Sequence, residues 1–202
     1  WWECETGIAY LVSGAEGWLV PRMTQIYDLS DPTKPKFIRN FGLPGQQPGA
    51  TGPVPTMLHG GISTGPAGNR VYFGYGTNGG GIVQIVDREK RLKGNPNAKD
   101  PFAPTPENLL YPQVSRTDMH PTVGAHTTLP ILGMEVDDFS NFVPQSEGFR
   151  TGRPKTRDML LVSNESTQNE CREDYHMAFM VDITDETRPY GVSNFHIDEK
   201  AG

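Results

Sequence analysis

The sequence holds no apolar run approaching the roughly 18 residues that a bilayer-spanning helix needs, so no membrane span is expected. It also lacks any Lys/Arg cluster dense enough to follow a phosphate backbone, and its formal net charge is −6. The densest basic stretch, residues 88–93, includes Glu89 and reads as a solvated turn; no nucleic-acid partner is expected. Cysteine is nearly missing, with only Cys4 and Cys171, too few for a disulfide framework. The two are expected on opposite faces of the fold, unpaired with each other. No signal peptide is visible, but the chain opens on Trp1 instead of methionine, which fits either a leader already cleaved or a segment from something longer. There is no H-E-x-x-H and no EF-hand loop. The stretch YGTNGGGI (residues 75–82) has no Lys-Ser/Thr after it and no helix signal, so it reads as a glycine-rich hairpin turn, not a phosphate loop.

What is abundant is punctuation. Glycine (23) and proline (18) make up about a fifth of the residues, against an ordinary share of about 12 %. Interspersed with 35 % hydrophobic residues, they give many short strands and irregular loops. The strands recur. IYDLSDPTKPKFIRNF (26–41) and MVDITDETRPYGVSNF (180–195) align without a gap, with six identities in sixteen positions. Asp28, Asp31, Thr33, Pro35, Asn40 and Phe41 match Asp182, Asp185, Thr187, Pro189, Asn194 and Phe195. A third copy, IVQIVDREK (82–90), places Asp87 opposite Asp28 and then diverges. In each copy a β-branched run suits a buried strand. The Asp after it accepts backbone N–H bonds, so Asp31 and Asp185 read as turn caps and not as catalytic carboxylates.

Upstream of each copy lies another strand, GIAYLVSG (7–14), NRVYFGYG (69–76) or RDMLLVSN (157–164), and a further one before that. The unit is thus four short antiparallel strands. In the second unit they fall at 58–64, 69–76, 81–87 and about 109–116. Four-stranded sheets repeated in series are the signature of a β-propeller. The blades are 1–41, 58–119 and 125–197, with inserted loops at 91–107 and 136–156. About three blades are too few to close a ring, so the chain is expected to be part of a longer propeller whose remaining blades come from the same or another chain. A β-sandwich is the alternative; it accounts for the strands but not for the repeated D-x-[ST]-D-x-T-x-P segment. Trp1, Trp2 and Trp18 are expected to pack between blades.

The stretches TQIYDLSDPTKP, VQIVD and AFMVDITDETRP resemble the bacterial LVIVD-repeat β-propellers, whose motif is an apolar strand, Asp, Ser/Thr-Asp, then Pro. The resemblance runs through nearly the whole chain. It implies a propeller exported to the periplasm or secreted, and it implies no particular chemistry, since most such proteins have no assigned activity.

In a propeller, the start of each innermost strand and each turn between second and third strands share one face around a central channel. His59 and His126 both occupy strand starts, and His120 lies six residues before His126. The turns bring Glu16, Asn78, Asn164, Glu165 and Glu170 to the same face. Two imidazoles with nearby carboxylates suit a transition metal such as copper, iron or zinc. Equally, a histidine at a strand start can simply bond a neighbouring blade. His176 and His196 do not share the position.

Three functions follow. The first is a scaffold that binds a small ligand or protein partner through the channel face. The second is a metal-dependent oxidoreductase on His59, His126 and His120, with Glu165 orienting water or accepting a proton. That reading is an analogy with propellers of the selenium-binding/methanethiol oxidase type, which hold copper through channel histidines; none of their diagnostic stretches is present here. The third is a subunit of an envelope complex, contacting partners through the two inserts.

Overall fold

The computed structural model describes residues 1–77, 79–135, 156–165 and 177–196. Their strands form three antiparallel sheets of four, each laid down in chain order. The first holds β1 (Trp2–Glu3), β2 (Ile8–Ser13), β3 (Met23–Asp28) and β4 (Lys36–Phe41). The second holds β5 (Leu58–Ser63), β6 (Arg70–Tyr75), β7 (Ile82–Asp87) and β8 (Gln113–Asp118). The third holds β9 (Thr127–Glu135), β10 (Thr156–Ser163), β11 (Met177–Asp182) and β12 (Tyr190–His196). The expected four-strand units are therefore present, and the all-β class with them.

Strand period explains how the sheets stack. On β6, Val71, Phe73 and Tyr75 face the first sheet and join a core with Tyr10, Met23, Ile26 and Phe41. Tyr72, one residue out of phase, faces the third sheet with Val83, Ile85, Leu160, Val162 and Val181. The middle sheet is thus buried on both faces, which is why β6 and β7 read as nearly continuous apolar runs. The outer sheets leave large apolar side chains exposed, among them Leu11 and Phe37 on one and Leu129 and Phe195 on the other.

The repeated aspartates do what the sequence predicts. Asp28 accepts from Ser30 N (2.9 Å) and Asp182 from Thr184 N (2.9 Å). Asp31 and Asp185 accept both the amide and the hydroxyl of Thr33 and Thr187, respectively. The third copy diverges because Asp87 caps a helix instead, accepting from Lys90 N at 2.9 Å.

That helix, α1 (Arg88–Lys93), corrects the reading of residues 88–93 as a solvated turn. Arg88 and Arg91 are buried, and the Arg91 guanidinium lies 4.4 Å from the Tyr10 ring centroid. The long stems of these residues let one face of a very polar segment enter the core. A second short helix, α2 (Pro106–Leu110), takes residues 106–110, part of the stretch expected to begin a strand at about 109. Trp18 is buried as expected, whereas Trp1 and Trp2 are each 54 % exposed. Cys4 is exposed; Cys171 lies outside the described residues, as does most of the 136–156 insert.

Two ion pairs cross the sheet boundaries, one buried and one half-buried. Glu3 on β1 receives a forked pair of hydrogen bonds from Arg88, at 2.6–3.1 Å, and further ones from Ser63, Thr6 and Tyr10. Burial by itself would raise the Glu3 carboxyl, but these donors together outweigh it and hold it at about 2. Between the second and third sheets, Glu186 accepts from Arg70 Nε (2.6 Å) and Tyr72 Oη (3.1 Å).

Candidate metal centre at the shared edge of two sheets

His59 is the extra residue of a β-bulge. Leu58 pairs with Tyr75 and Gly60 with Gly74, which leaves His59 unpaired between them. Bulges re-aim side chains in this way beside functional sites. Two residues on, Gly61 leaves room for the Phe73 ring, whose nearest atom would lie 2.5 Å from an added Cβ. His126 comes just before β9, and its N–H donates to the Ser163 carbonyl at 2.9 Å. The two positions correspond. Gly60 and Thr127 each pair with the residue four beyond the second strand's partner to Asp87 or Asp182.

The glycines of residues 76–81 bring these equivalent histidines together. Gly80 N donates to Pro121 O (2.8 Å) and Gly81 N to Val123 O (2.7 Å). A Cβ at Gly81 would stand 2.6 Å from both Gly124 C and Val123 O, and one at Gly79 2.8 Å from Pro121 O. Gly74 has the same constraint against Ala125 O, and Gly124 against Thr77 O. Only Gly76 and Gly80 in this stretch need positive φ; the others serve close backbone approach. The turn is therefore a lock between the second sheet and the segment leading to His126. Glu165 is tied to it as well, through its N–H to Thr77 O (3.3 Å), and Asn164 Oδ1 accepts from Gly124 N (2.9 Å).

The result is a tight triad. The His59 and His126 rings lie 3.4 Å apart between centroids, tilted by 32°. Both Nε2 atoms approach one oxygen, Glu165 Oε2, at 3.7 Å and 3.3 Å. One ligand atom from each residue falls within 4.8 Å of the other two. Metal–ligand bonds of about 2.0–2.2 Å in a tetrahedral site put neighbouring ligand atoms roughly 3.3–3.6 Å apart, close to the spacing here. His126 Nδ1 is 2.7 Å from Thr127 Oγ1, a contact that orients the ring and leaves Nε2 toward the carboxylate.

Electrostatics favour the ligating form of His59. Burial first, then the adjacent His126 and the charge of Arg22, hold its imidazole below the ordinary range; Glu165 pulls the other way. A neutral imidazole is what a metal binds. The His59 and His126 side chains are each 25 % exposed and that of Glu165 37 %, so the triad opens to solvent on one side.

Other residues of the sequence reading lie elsewhere. His120 is exposed, with Nδ1 2.9 Å from Thr122 Oγ1, and stands outside the triad. Glu16 is exposed on the β2–β3 loop and is not part of the triad either. Asn164 supports the loop by its bond to Gly124. Asn78, Glu170 and His176 lie outside the described residues; of His196 only the backbone, at the end of β12, is described.

Two features escape the sequence reading. Arg22, one residue before β3, accepts Leu58 N–H at its carbonyl (3.1 Å) and sets Nε 3.3 Å from Met57 Sδ, which puts it beside His59. It follows one of the turns assigned to the channel face, a signal that was there to use. The chain also carries the G-x-S-x-G spacing of a serine-hydrolase elbow, Gly61-Ile62-Ser63-Thr64-Gly65, a motif absent from the reading above. Ser63 is buried at the end of β5, and its hydroxyl donates to Glu3 Oε1 at 2.5 Å. No histidine contacts that hydroxyl among the described residues, so Ser63 serves the ion-pair network. None of the known protein families, curated proteins or solved structures compared with this chain matches it.

Proposed function

We propose that this chain is part of an LVIVD-type β-propeller, and that His59, His126 and Glu165 bind a transition metal at its channel face to form a metal-dependent, reactive centre. The observation that carries the reading is the convergence of both Nε2 atoms on a single Glu165 oxygen. Two imidazoles and a carboxylate gain little by sharing one point in space unless a cation joins them. A set of two histidines and one carboxylate suits zinc or iron(II), and it leaves coordination positions open, as catalytic sites do. When bound, such a metal supplies Lewis acidity, or redox chemistry if it is iron or copper. The protein's part is to fix the donor set: the bulge aims His59, Thr127 orients His126, and the glycine lock carries Glu165.

The test is a titration of metal-free protein with zinc and cobalt(II). One equivalent is expected to bind, and His59→Ala, His126→Ala and Glu165→Gln are each expected to weaken binding by more than the roughly 10–100-fold lost with an outer-shell partner. Wild-type protein that stays folded and binds neither ion overturns the metal reading and leaves a scaffold that takes ligands or partners at the same face.

A further inference from the structure

The metal reading leaves a charge to be answered. A divalent ion on two neutral imidazoles and one carboxylate has a net charge of about +1, and Arg22 adds another beside it. Arg22 is half-buried at the start of β3, pinned by its carbonyl to Leu58 N and by Nε to Met57 Sδ, the two residues before His59. Among the described residues it forms no ion pair with a carboxylate, and Glu165 is the one carboxylate within pairing distance of the two imidazoles. Its remaining guanidinium donors present a planar fork that matches two oxygens of one anion.

We propose that the ligand of this centre is a small oxyanion, a carboxylate or phosphate group, held between the metal and the guanidinium of Arg22. This rests on the metal reading, and it assigns Arg22 as the residue that selects anionic ligands without being needed for the metal.

The experiment uses the full chain loaded with one equivalent of cobalt(II), whose visible absorption reports both occupancy and a change of ligand at the ion. Acetate and inorganic phosphate are titrated separately, and the tighter of the two identifies the oxyanion class. Saturable spectral shifts are expected in the wild type. Arg22→Gln should keep its cobalt affinity, which also controls for folding, and lose about 10–100-fold in anion affinity; Arg22→Lys should fall between. Equal anion affinity in Arg22→Gln and wild type, or a loaded wild type whose spectrum neither anion moves, overturns the role of Arg22 while the metal reading stands. A wild type that takes up no cobalt ends both.

Discussion

At the scale of single residues, the clearest lesson comes from Glu3. It stands second in a two-residue strand, yet its carboxylate is buried and gathers Arg88, Ser63, Thr6 and Tyr10 from two sheets. Its carboxyl is held at about 2, from an unperturbed value of 4.5, so the folded state binds its proton less readily than the unfolded state. The stabilisation is complete above pH about 4.5 and is lost as pH falls from there toward about 2. Glu3→Gln leaves the Arg88 charge buried without its partner and is expected to cost about 3–5 kcal/mol at pH 7. Urea unfolding at pH 7 and pH 3 checks both points: the variant should lose most at pH 7, and the gap from wild type should narrow at pH 3. An equal gap at both pH values would contradict the ionic account. None of this was legible in sequence, where Glu3 is one acid among 24 acidic residues and its partner lies 85 positions away. The histidines were more legible, because a strand start is a recognisable place and the repeat makes two such places equivalent. The contact of His126 with Thr127, and the placement of Arg22 against Met57, depend on side-chain geometry that spacing does not encode.

Among the elements, strands were read within a residue or so at 58–63, 70–75 and 82–87, because turn residues bound each β-branched run. The helices were not. REKRLK looks like surface, and only an Asp at the cap and Glu89 in the first turn mark it as helical. Asp87 shows the ambiguity plainly, since the same residue type at the same place in the repeat caps a turn in two copies and a helix in the third. The turn at 76–81 was correctly read as a glycine-rich hairpin turn, but its second role was hidden. Gly79 and Gly81 are needed for what lies against them, the backbone of residues 121–125. Gly81→Ala should therefore act at a distance. Its methyl group meets unyielding backbone at 2.6 Å, so the segment before His126 must shift. We expect a loss of about 1–3 kcal/mol in stability, as for other overpacked sites, with a clear drop in metal affinity. Gly60→Ala, where no atom lies within 4 Å of the added carbon, should disturb packing far less. Thermal unfolding and zinc titration of the two variants test this, and equal behaviour would argue against the lock.

Over the whole molecule, three sheets of sequence-local strands stack face to face, with the middle one buried on both sides. That arrangement explains why two histidines 67 residues apart meet: their sheets are neighbours and their strand positions are equivalent. It was legible because the repeat fixes the order of the sheets, although the sequence alone carries neither the bulge nor the lock that sets the distance. The exposed apolar side chains on the two outer sheets are the pattern that further blades would cover in the propeller we propose. The central claim is that His59, His126 and Glu165 close around one ion. X-ray absorption of the protein loaded with one equivalent of zinc measures this directly. Two imidazole nitrogens with oxygen are expected around the zinc at about 2.0–2.2 Å, with loss of one imidazole in His59→Ala. A zinc environment free of imidazole, or one unchanged in His59→Ala and His126→Ala alike, would contradict it.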